Sequence, residues 1–294
     1  MSDSLKSVVR WLRIIGLIGS VVLLAACSAI KIGYNTVPDL TYWWLDGYAD
    51  FNEDQTLQVR DELNRLHQWH RVTELPKVAD LLQKMQRLAP DNVTPEQVCG
   101  LFSDVRARLE AIHAQAEPGI IALAMSLGSS QLAHIEAKFQ KTNTGWREDW
   151  LDGTPAEKQE RRMKSALDRA EQVYNTLEER QKTILQESIA SSGFDPQLSY
   201  TERLRRQRDL LQTLRQIQGN KVPASQATVA LRGYKERSIN SPNPAYRAYS
   251  DKALLDNCRA FAQLHNSTTA EQRERAVRRL AAYERDIREL AAQR

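Results

Sequence analysis

PAEKQERRMKSALDRAEQVYNTLEERQKTILQESIAS, at residues 155–191, is the stretch of sequence that decides the fold. It has no glycine and no proline after its first residue, and its apolar residues recur mostly at intervals of three or four: Met163, Leu167, Ala170, Tyr174, Leu177, Ile184 and Ile189. This spacing predicts one long amphipathic α-helix with a single apolar stripe. Because such a stripe has to be covered, the stretch also predicts partner helices.

Similar spacing occurs in the rest of the chain beyond Cys27. It predicts further helices at 52–75, 77–88, 95–116, 119–127, 130–145, 200–218, 224–237, 250–265 and 270–292. Glycine and proline mark the breaks between them: Pro90, Pro118-Gly119, Gly128, Gly153, Gly193 with Pro196, Gly219 with Pro223, and residues 240–244. The sequence lacks sustained alternation of apolar and polar residues, which argues against strands. We therefore predict an all-α fold, an elongated multi-helix bundle.

The first 26 residues have the organisation of an export signal. Lys6, Arg10 and Arg13 precede an uncharged apolar run that extends from Ile14 to Ala26. This run has 13 residues, whereas a helix needs roughly 20 to cross a bilayer. The length therefore disfavours the alternative, an uncleaved membrane anchor.

Leu24-Ala25-Ala26-Cys27 resembles the lipobox of bacterial lipoproteins. The resemblance implies cleavage before Cys27, acylation of Cys27, and a membrane as a partner through that lipid. Because Ser28 and not an aspartate follows the cysteine, it also implies the outer membrane, facing the periplasm, in a Gram-negative cell. The chain then divides into a signal peptide at 1–26, a lipidated, aromatic-rich segment at 27–51 and an all-helical periplasmic domain at 52–294.

The charge balance bears on the other partners. The net charge is +4, and the signal contributes three basic residues against one acidic residue, which leaves +2 for the mature chain. A nucleic-acid-binding protein needs a concentrated basic face, so we expect no nucleic acid as a partner. The arginine-rich run at 203–208 lies between Glu202 and Asp209, a pattern typical of a solvated helix face.

Two cysteines remain after lipidation, Cys99 and Cys258. An even number of cysteines in an oxidising compartment predicts a disulfide. The alternative is that both are small buried apolar side chains.

The segment from Ser28 to Gly47 is rich in aromatic residues: Tyr34, Tyr42, Trp43 and Trp44, followed by Tyr48. Tryptophan and tyrosine are favoured at a membrane interface, and this segment would lie beside the lipid. The other interpretation, which we favour, is that the segment packs across the bundle and supplies core residues.

One short pattern recurs five times, and four of its windows lie at predicted helix starts. The windows are Asn52-Glu-Asp-Gln55, Thr94-Pro-Glu-Gln97, Gly128-Ser-Ser-Gln131, Glu178-Glu-Arg-Gln181 and Thr269-Ala-Glu-Gln272. The residues four and eight places after the glutamine are apolar in all five. A capping box explains the pattern, because the glutamine side chain can accept from the N-cap N–H. The window at Gln181 lies inside the predicted long helix and lacks a usual cap residue.

These windows also resemble the Leu-Thr-x-x-Gln motifs of the Spy/CpxP-like periplasmic chaperones. A longer resemblance rests on Tyr34-Asn-x-x-Pro38, Asp46-Gly-Tyr48, Gln55 and Trp69-His70-Arg71-x-x-Glu74-Leu75-Pro76. These residues are similar to a family of uncharacterised proteobacterial lipoproteins that is defined only as a domain of unknown function. The resemblance implies a helical periplasmic protein and assigns no activity.

The segment from Trp69 to Pro76 is predicted to form a corner between two helices, because proline suits a first helical turn. We expect Trp69 and Leu75 to be buried there. We expect His70, Arg71 and Glu74 to be hydrogen-bonded, with a local ion pair between Arg71 and Glu74 and no open cavity around the corner.

A metal site is the alternative interpretation of the same region. His67, His70 and Glu74 are spaced so that a helix would place them near one face, where they could bind zinc together with a further ligand or a water molecule. The sequence has no phosphate-binding glycine loop, no Gly-x-Ser-x-Gly and no Cys-x-x-Cys, so we expect no cofactor and no enzyme activity.

Three hypotheses about function follow from these observations. The favoured one is a non-enzymatic, lipid-anchored protein that binds an envelope protein, in a chaperone-like or scaffolding role. The second is a metal-binding protein or hydrolase that uses His67, His70 and Glu74. The third is a structural spacer in the cell envelope.

Overall fold

The computed structural model describes residues 30–219 and 222–293, and every regular element in those ranges is helical. The all-α multi-helix fold predicted from the sequence is therefore confirmed. The α-helices are α1 (30–49), α2 (Glu53–Trp69), α3 (Leu75–Leu88), α4 (Pro95–Ser126), α5 (Ser129–Trp150), α6 (Pro155–Tyr174), α7 (Glu179–Ser191), α8 (Pro196–Gly219), α9 (Ala224–Ile239), α10 (Pro244–Asn266) and α11 (Ala270–Ala292).

Capping residues and prolines set where the helices begin. Thr94, Thr154 and Thr269 each accept a hydrogen bond from the backbone N–H three residues later, which satisfies one unpaired donor of the first turn. Prolines occupy the first position of several helices, where a missing N–H costs nothing. For this reason α8 and α10 begin at Pro196 and Pro244, earlier than the predicted starts at 200 and 250.

Three clusters of buried apolar side chains hold the helices together. The first lies between α1, α4, α5, α8 and α9, and includes Leu132, Ile135 and Leu214. The second lies between α6, α7, α10 and α11, around Tyr174. The third joins the start of α4 to α10 at Val98. In addition, α3 packs along α11 over most of its length.

The single long helix predicted at 155–191 is wrong. The chain leaves the helix after Tyr174, because Asn175 adopts a φ of +66°, and a second helix begins at Glu179. Asparagine tolerates positive φ better than most residues, since its short polar side chain can bond locally. Leu177 lies in the connection and is buried, so its fit to the apolar stripe did not reveal the break.

The break predicted at Pro118-Gly119 is also wrong, because α4 continues through both residues to Ser126. Gly119 faces α2 at a close approach, where an added Cβ would lie 3.2 Å from Cγ of Glu62. The glycine is therefore explained by helix packing and not by a turn.

Candidate functional site

The capping glutamines of two helix starts meet each other at the α1–α2 and α4–α5 corners. Nε2 of Gln131 donates to Oε1 of Gln55 at 2.7 Å, and Nε2 of Gln55 lies 3.2 Å from Oε1 of Gln131. Each Oε1 also accepts from its own N-cap, the N–H of Asn52 or of Gly128. Each side chain therefore caps its own helix and binds the other one.

A second pair has the same geometry at the α6–α7 and α10–α11 corners. Gln181 and Gln272 exchange two amide hydrogen bonds of 2.7 and 3.0 Å, and their Oε1 atoms accept from the N–H groups of Glu178 and Thr269. Both side chains are buried. We refer to Gln55 with Gln131, and to Gln181 with Gln272, as the two glutamine pairs.

A further hydrogen bond repeats in both glutamine pairs. In each case Nε2 donates to the backbone carbonyl two residues before the partner's N-cap: Gln55 to Ser126, Gln131 to Asp50, Gln181 to Ser267 and Gln272 to Thr176. The relation is reciprocal, so each pair has local two-fold symmetry. The residue four places after each glutamine is buried as well: Val59, Ile135, Leu185 and Ala276.

Gln97 is the fifth capping glutamine, and it has no such partner among the described residues. It completes the capping box of α4, since its Oε1 accepts from the N–H of Thr94 at 2.8 Å. Its side chain is exposed, however, and the apolar residues four and eight places later are half-buried Leu101 and exposed Val105. The start of α4 therefore repeats the motif without the second helix that covers it elsewhere.

An apolar cleft of about 270 Å³ lies directly beside Gln97. We call it the α4 cleft; it is lined by Met85, Leu88, Ala89, Val93, Gln97, Val98, Leu101, Phe102, Val105, Val173, Tyr174, Phe261, His265, Ala276 and Leu280. Phe102 and Phe261 stand at its rim with 44% and 41% of their surface exposed. Ala276 and Leu280 are the residues four and eight places after Gln272, so two copies of the motif contribute to the same cleft.

Tyr174 and His265 form the polar part of the cleft's wall. The hydroxyl of Tyr174 lies 2.8 Å from Nδ1 of His265, and Nε2 of His265 lies 2.9 Å from the carbonyl oxygen of Asp91. A carbonyl can only accept, so Nε2 carries the proton and Nδ1 accepts from the tyrosine. Burial lowers the pKa of His265 and raises the pKa of Tyr174, which keeps both side chains neutral.

The start of α4 is held rigidly against α10 and α11. Cys99 and Cys258 form a disulfide with a Cα–Cα distance of 5.5 Å. The loop before α4 is bonded to both helices. Asn266 of α10 accepts a hydrogen bond from the N–H of Val93 and donates one to its carbonyl, and Arg273 of α11 donates to the carbonyl of Pro90. The exposed position of Gln97 is thus a fixed feature of the fold.

The sequence pattern of DUF6279, a family of unknown function, matches residues 47–224. The chain belongs to this family. No curated protein and no solved structure matches the chain. The DUF6279 region contains Gln55, Gln97, Gln131 and Gln181, whereas Gln272 and α1 up to residue 46 lie outside it.

The segment Trp69–Pro76 lies within the DUF6279 region, and it is not a corner. His70–Glu74 forms a π-helical turn between α2 and α3, in which the N–H of Leu75 bonds to the carbonyl of His70 five residues back. The backbone stays helical throughout, so no loop separates α2 from α3. The proline, which lacks an N–H, is accommodated by one wide turn of a continuous helix.

The side chains of this segment match part of the expectation. Leu75 is buried, but Trp69 is only half-buried. Glu74 is completely buried and binds Lys77 and Arg108 at 2.7 and 3.1 Å, not Arg71 as predicted. Arg71 instead donates to Asn35 of α1 at 2.6 Å, which joins α1 to this turn.

The predicted metal ligands do not come together. Nε2 of His67 bonds to the backbone carbonyl of Tyr34, and Nδ1 of His70 bonds to the hydroxyl of the same tyrosine. Glu74 is engaged by Lys77 and Arg108. Within residues 30–219 and 222–293, no group of three or more His, Cys, Asp or Glu side chains is placed to hold a metal ion.

The aromatic segment forms α1, a helix that the sequence did not predict. Tyr42 is buried and its hydroxyl bonds to Thr56 of α2, as expected for a core role. Trp43 and Trp44, however, are 61% and 62% exposed, so the core interpretation is wrong for both tryptophans. Cys27 and the predicted signal lie outside the described residues, and no described helix is long and apolar enough to span a membrane.

Proposed function

We propose that this DUF6279 protein is a lipid-anchored, periplasmic protein that binds another protein through the α4 cleft. One observation carries the proposal: Gln97 begins a helix with the same motif as the four paired glutamines, yet no helix of the described part of the chain covers it, and it borders an apolar cleft. Binding of a partner there would supply the contact that the chain makes internally at its other four motif helices.

The chemistry of the cleft defines the partner. Its walls are almost entirely apolar, with aromatic side chains at the rim, as in grooves that take the apolar face of a helix. The amide of exposed Gln97 offers a hydrogen-bond donor to a partner, and in both glutamine pairs the acceptors of this donor are a side-chain amide oxygen and a backbone carbonyl at a helix corner. The partner should therefore present an apolar helical surface that begins at such a corner.

The sequence supports the anchoring part of the proposal. The lipobox at Leu24–Cys27 would attach the chain to a membrane through Cys27. Growth with a radiolabelled fatty acid should label the protein, and a Cys27→Ser variant should not be labelled. Labelling of that variant at the wild-type level would contradict lipidation at this residue.

Photocrosslinking in cells tests the cleft. A benzophenone amino acid replaces Phe102 at the rim of the cleft or, as a control, Val229 on α9, which is 71% exposed and lies away from it. We expect a defined crosslinked product from position 102 and none from position 229. Equal products from both positions, or none from position 102, would contradict the proposal.

A matched pair of variants separates binding from folding. Gln97→Glu keeps the capping box, because a carboxylate also accepts from the N–H of Thr94, but it removes the amide donor. Glu157→Gln makes the opposite exchange at Thr154-Pro-Ala-Glu157, an exposed capping box of the same form that does not line the α4 cleft. The crosslink from position 102 should be lost with Gln97→Glu and retained with Glu157→Gln.

A further inference from the structure

We propose that the outer face of α1 lies flat on the bilayer to which Cys27 is attached. The inference rests on the proposed lipidation and adds a second, non-covalent contact with the membrane. It assigns a role to five apolar side chains that the fold leaves exposed: Ile32, Val37, Leu40, Trp43 and Trp44 are between 43% and 62% exposed.

These side chains share one face of the helix. At 100° per residue, Ile32, Leu40, Trp43, Trp44 and Val37 project within an arc of about 140°. The other residues within that arc are uncharged as well: Gly33, Thr36 and Gly47. An apolar, uncharged face of this width is unusual on a helix surrounded by water.

The charged side chains of α1 are used elsewhere. Lys31 forms ion pairs with Glu289 and Asp286 of α11. Asp39, at the edge of the outer face, pairs with Arg60 of α2 at 2.8 Å. Asp46 accepts from the backbone N–H of Phe51. Each of these groups therefore has a partner within the protein.

The opposite face of α1 is fixed to the protein by its tyrosines. The hydroxyl of Tyr34 bonds to His70, the hydroxyl of Tyr42 bonds to Thr56, and the ring of Tyr48 packs on Phe139. Tyr34 and Tyr42, whose hydroxyls are bonded, face the bundle, whereas Trp43 and Trp44 are exposed. The outer face is therefore presented by a helix that is held in place.

The position of Cys27 identifies the occupant of this face as a bilayer. Cys27 precedes the first residue of α1 by three positions, a distance of at most about 11 Å for a fully extended chain. An acylated Cys27 would keep the start of α1 at the level of the lipid headgroups, where tryptophan is favoured. The helix would then lie in the interface plane, as amphipathic anchors do.

Spin labelling of the full-length, lipidated chain in vesicles of phosphatidylethanolamine and phosphatidylglycerol tests this orientation. Because Cys99 and Cys258 are joined and Cys27 would carry lipid, Leu40→Cys or Trp43→Cys would provide the reactive thiol. We expect nitroxides at both positions to collide more with oxygen than with a water-soluble nickel complex. A label at Val229→Cys, 71% exposed on α9, should show the reverse.

Other outcomes separate this inference from the proposed function. If fatty-acid labelling shows lipidation at Cys27 but positions 40 and 43 favour the nickel complex, the inference is wrong and the anchoring stands. Labels at both positions that are immobile and shielded from both reagents would mean that a protein covers α1, which also contradicts the inference. Absence of lipidation would contradict this inference and the anchoring part of the proposed function, but not the proposed binding at the α4 cleft.

Discussion

Gln181 of α7 and Gln272 of α11 lie 91 residues apart in the chain and share two side-chain hydrogen bonds of 2.7 and 3.0 Å. Each Oε1 receives one N–H from its own N-cap, and each Nε2 also donates to a carbonyl of the other corner. Buried amides are costly unless they are hydrogen-bonded, and these two are satisfied only when both helix starts meet in one arrangement. The pair therefore specifies how α7 and α11 pack.

Gln181→Glu should destabilise the protein. The carboxylate can still cap α7, but it replaces the amide that donates to Gln272 and Ser267, and it places a charge at a position with 0% exposure. We expect the free energy of unfolding, measured with urea, to fall by about 1–3 kcal/mol. The same exchange at exposed Gln97 should change it by less than about 0.5 kcal/mol. Equal losses of unfolding free energy at both positions would contradict a role for the hydrogen bonds between Gln181 and Gln272.

The sequence predicts where most of the helices with a capping glutamine begin, but it does not predict the hydrogen bonds between the glutamines. Four of the five glutamine windows lay at predicted boundaries, because capping is local chemistry that a few residues encode. The fifth, at Gln181, marked a real boundary that the apolar stripe of 155–191 concealed. The pairing of glutamines 76 and 91 residues apart had no signal in a single sequence, since it depends on how distant corners pack.

The burial of a charged residue, Glu202, is a second feature that the sequence pattern does not predict. The pattern of the arginine-rich run predicts a solvated face, yet Glu202 is 2% exposed and binds Arg205, Arg206 and Ser241. Burial by itself would raise the pKa of Glu202, but these hydrogen bonds lower it overall. Alternating charges in a sequence indicate that each charged residue has a partner of opposite charge nearby in the chain. They do not indicate whether a neighbouring helix buries these residues.

Removal of the disulfide should lower the free energy of unfolding by more than the loss of one buried hydrogen bond does. Cys99 and Cys258 are 159 residues apart, and closing a loop of that size contributes about 4–5 kcal/mol in the chain-entropy model. We expect a Cys99→Ser, Cys258→Ser double variant to unfold at much lower urea concentration. The wild-type chain should migrate faster on a non-reducing gel than on a reducing one. Two freely alkylatable thiols in protein isolated without reductant would contradict the bond.

His70→Ala should lower stability without any change in metal content. The substitution removes the partner of the Tyr34 hydroxyl, 3.0 Å away, and loosens the contact between α1 and the π-helical turn. We expect a loss of about 1–2 kcal/mol in the free energy of unfolding. His134→Ala, at an exposed position on α5, is the control and should have little effect. Stoichiometric zinc in the purified protein that disappears with His70→Ala would instead support the metal alternative.

The stability of the fold should decrease as the pH falls below about 7, with His265 as one cause. Burial lowers the pKa of His265 below its unfolded value of about 6.5, and nearby Arg273 acts in the same direction. Between the two pKa values the unfolded chain binds more protons than the folded one, so the free energy of unfolding rises with pH. Below the folded pKa this contribution is lost.

The comparison that isolates His265 is the slope of stability against pH. His67, His70 and His113 also have lowered pKa values, chiefly through burial, so the wild-type slope is a sum. His265→Gln has no titratable side chain, and its slope between about pH 5.5 and 7 should be smaller than that of the wild type, whatever its absolute stability. Urea unfolding at several pH values measures both slopes. Identical slopes would mean that His265 is not held neutral by Tyr174 and the carbonyl of Asp91, and the hydrogen-bond assignment at the wall of the α4 cleft would be wrong.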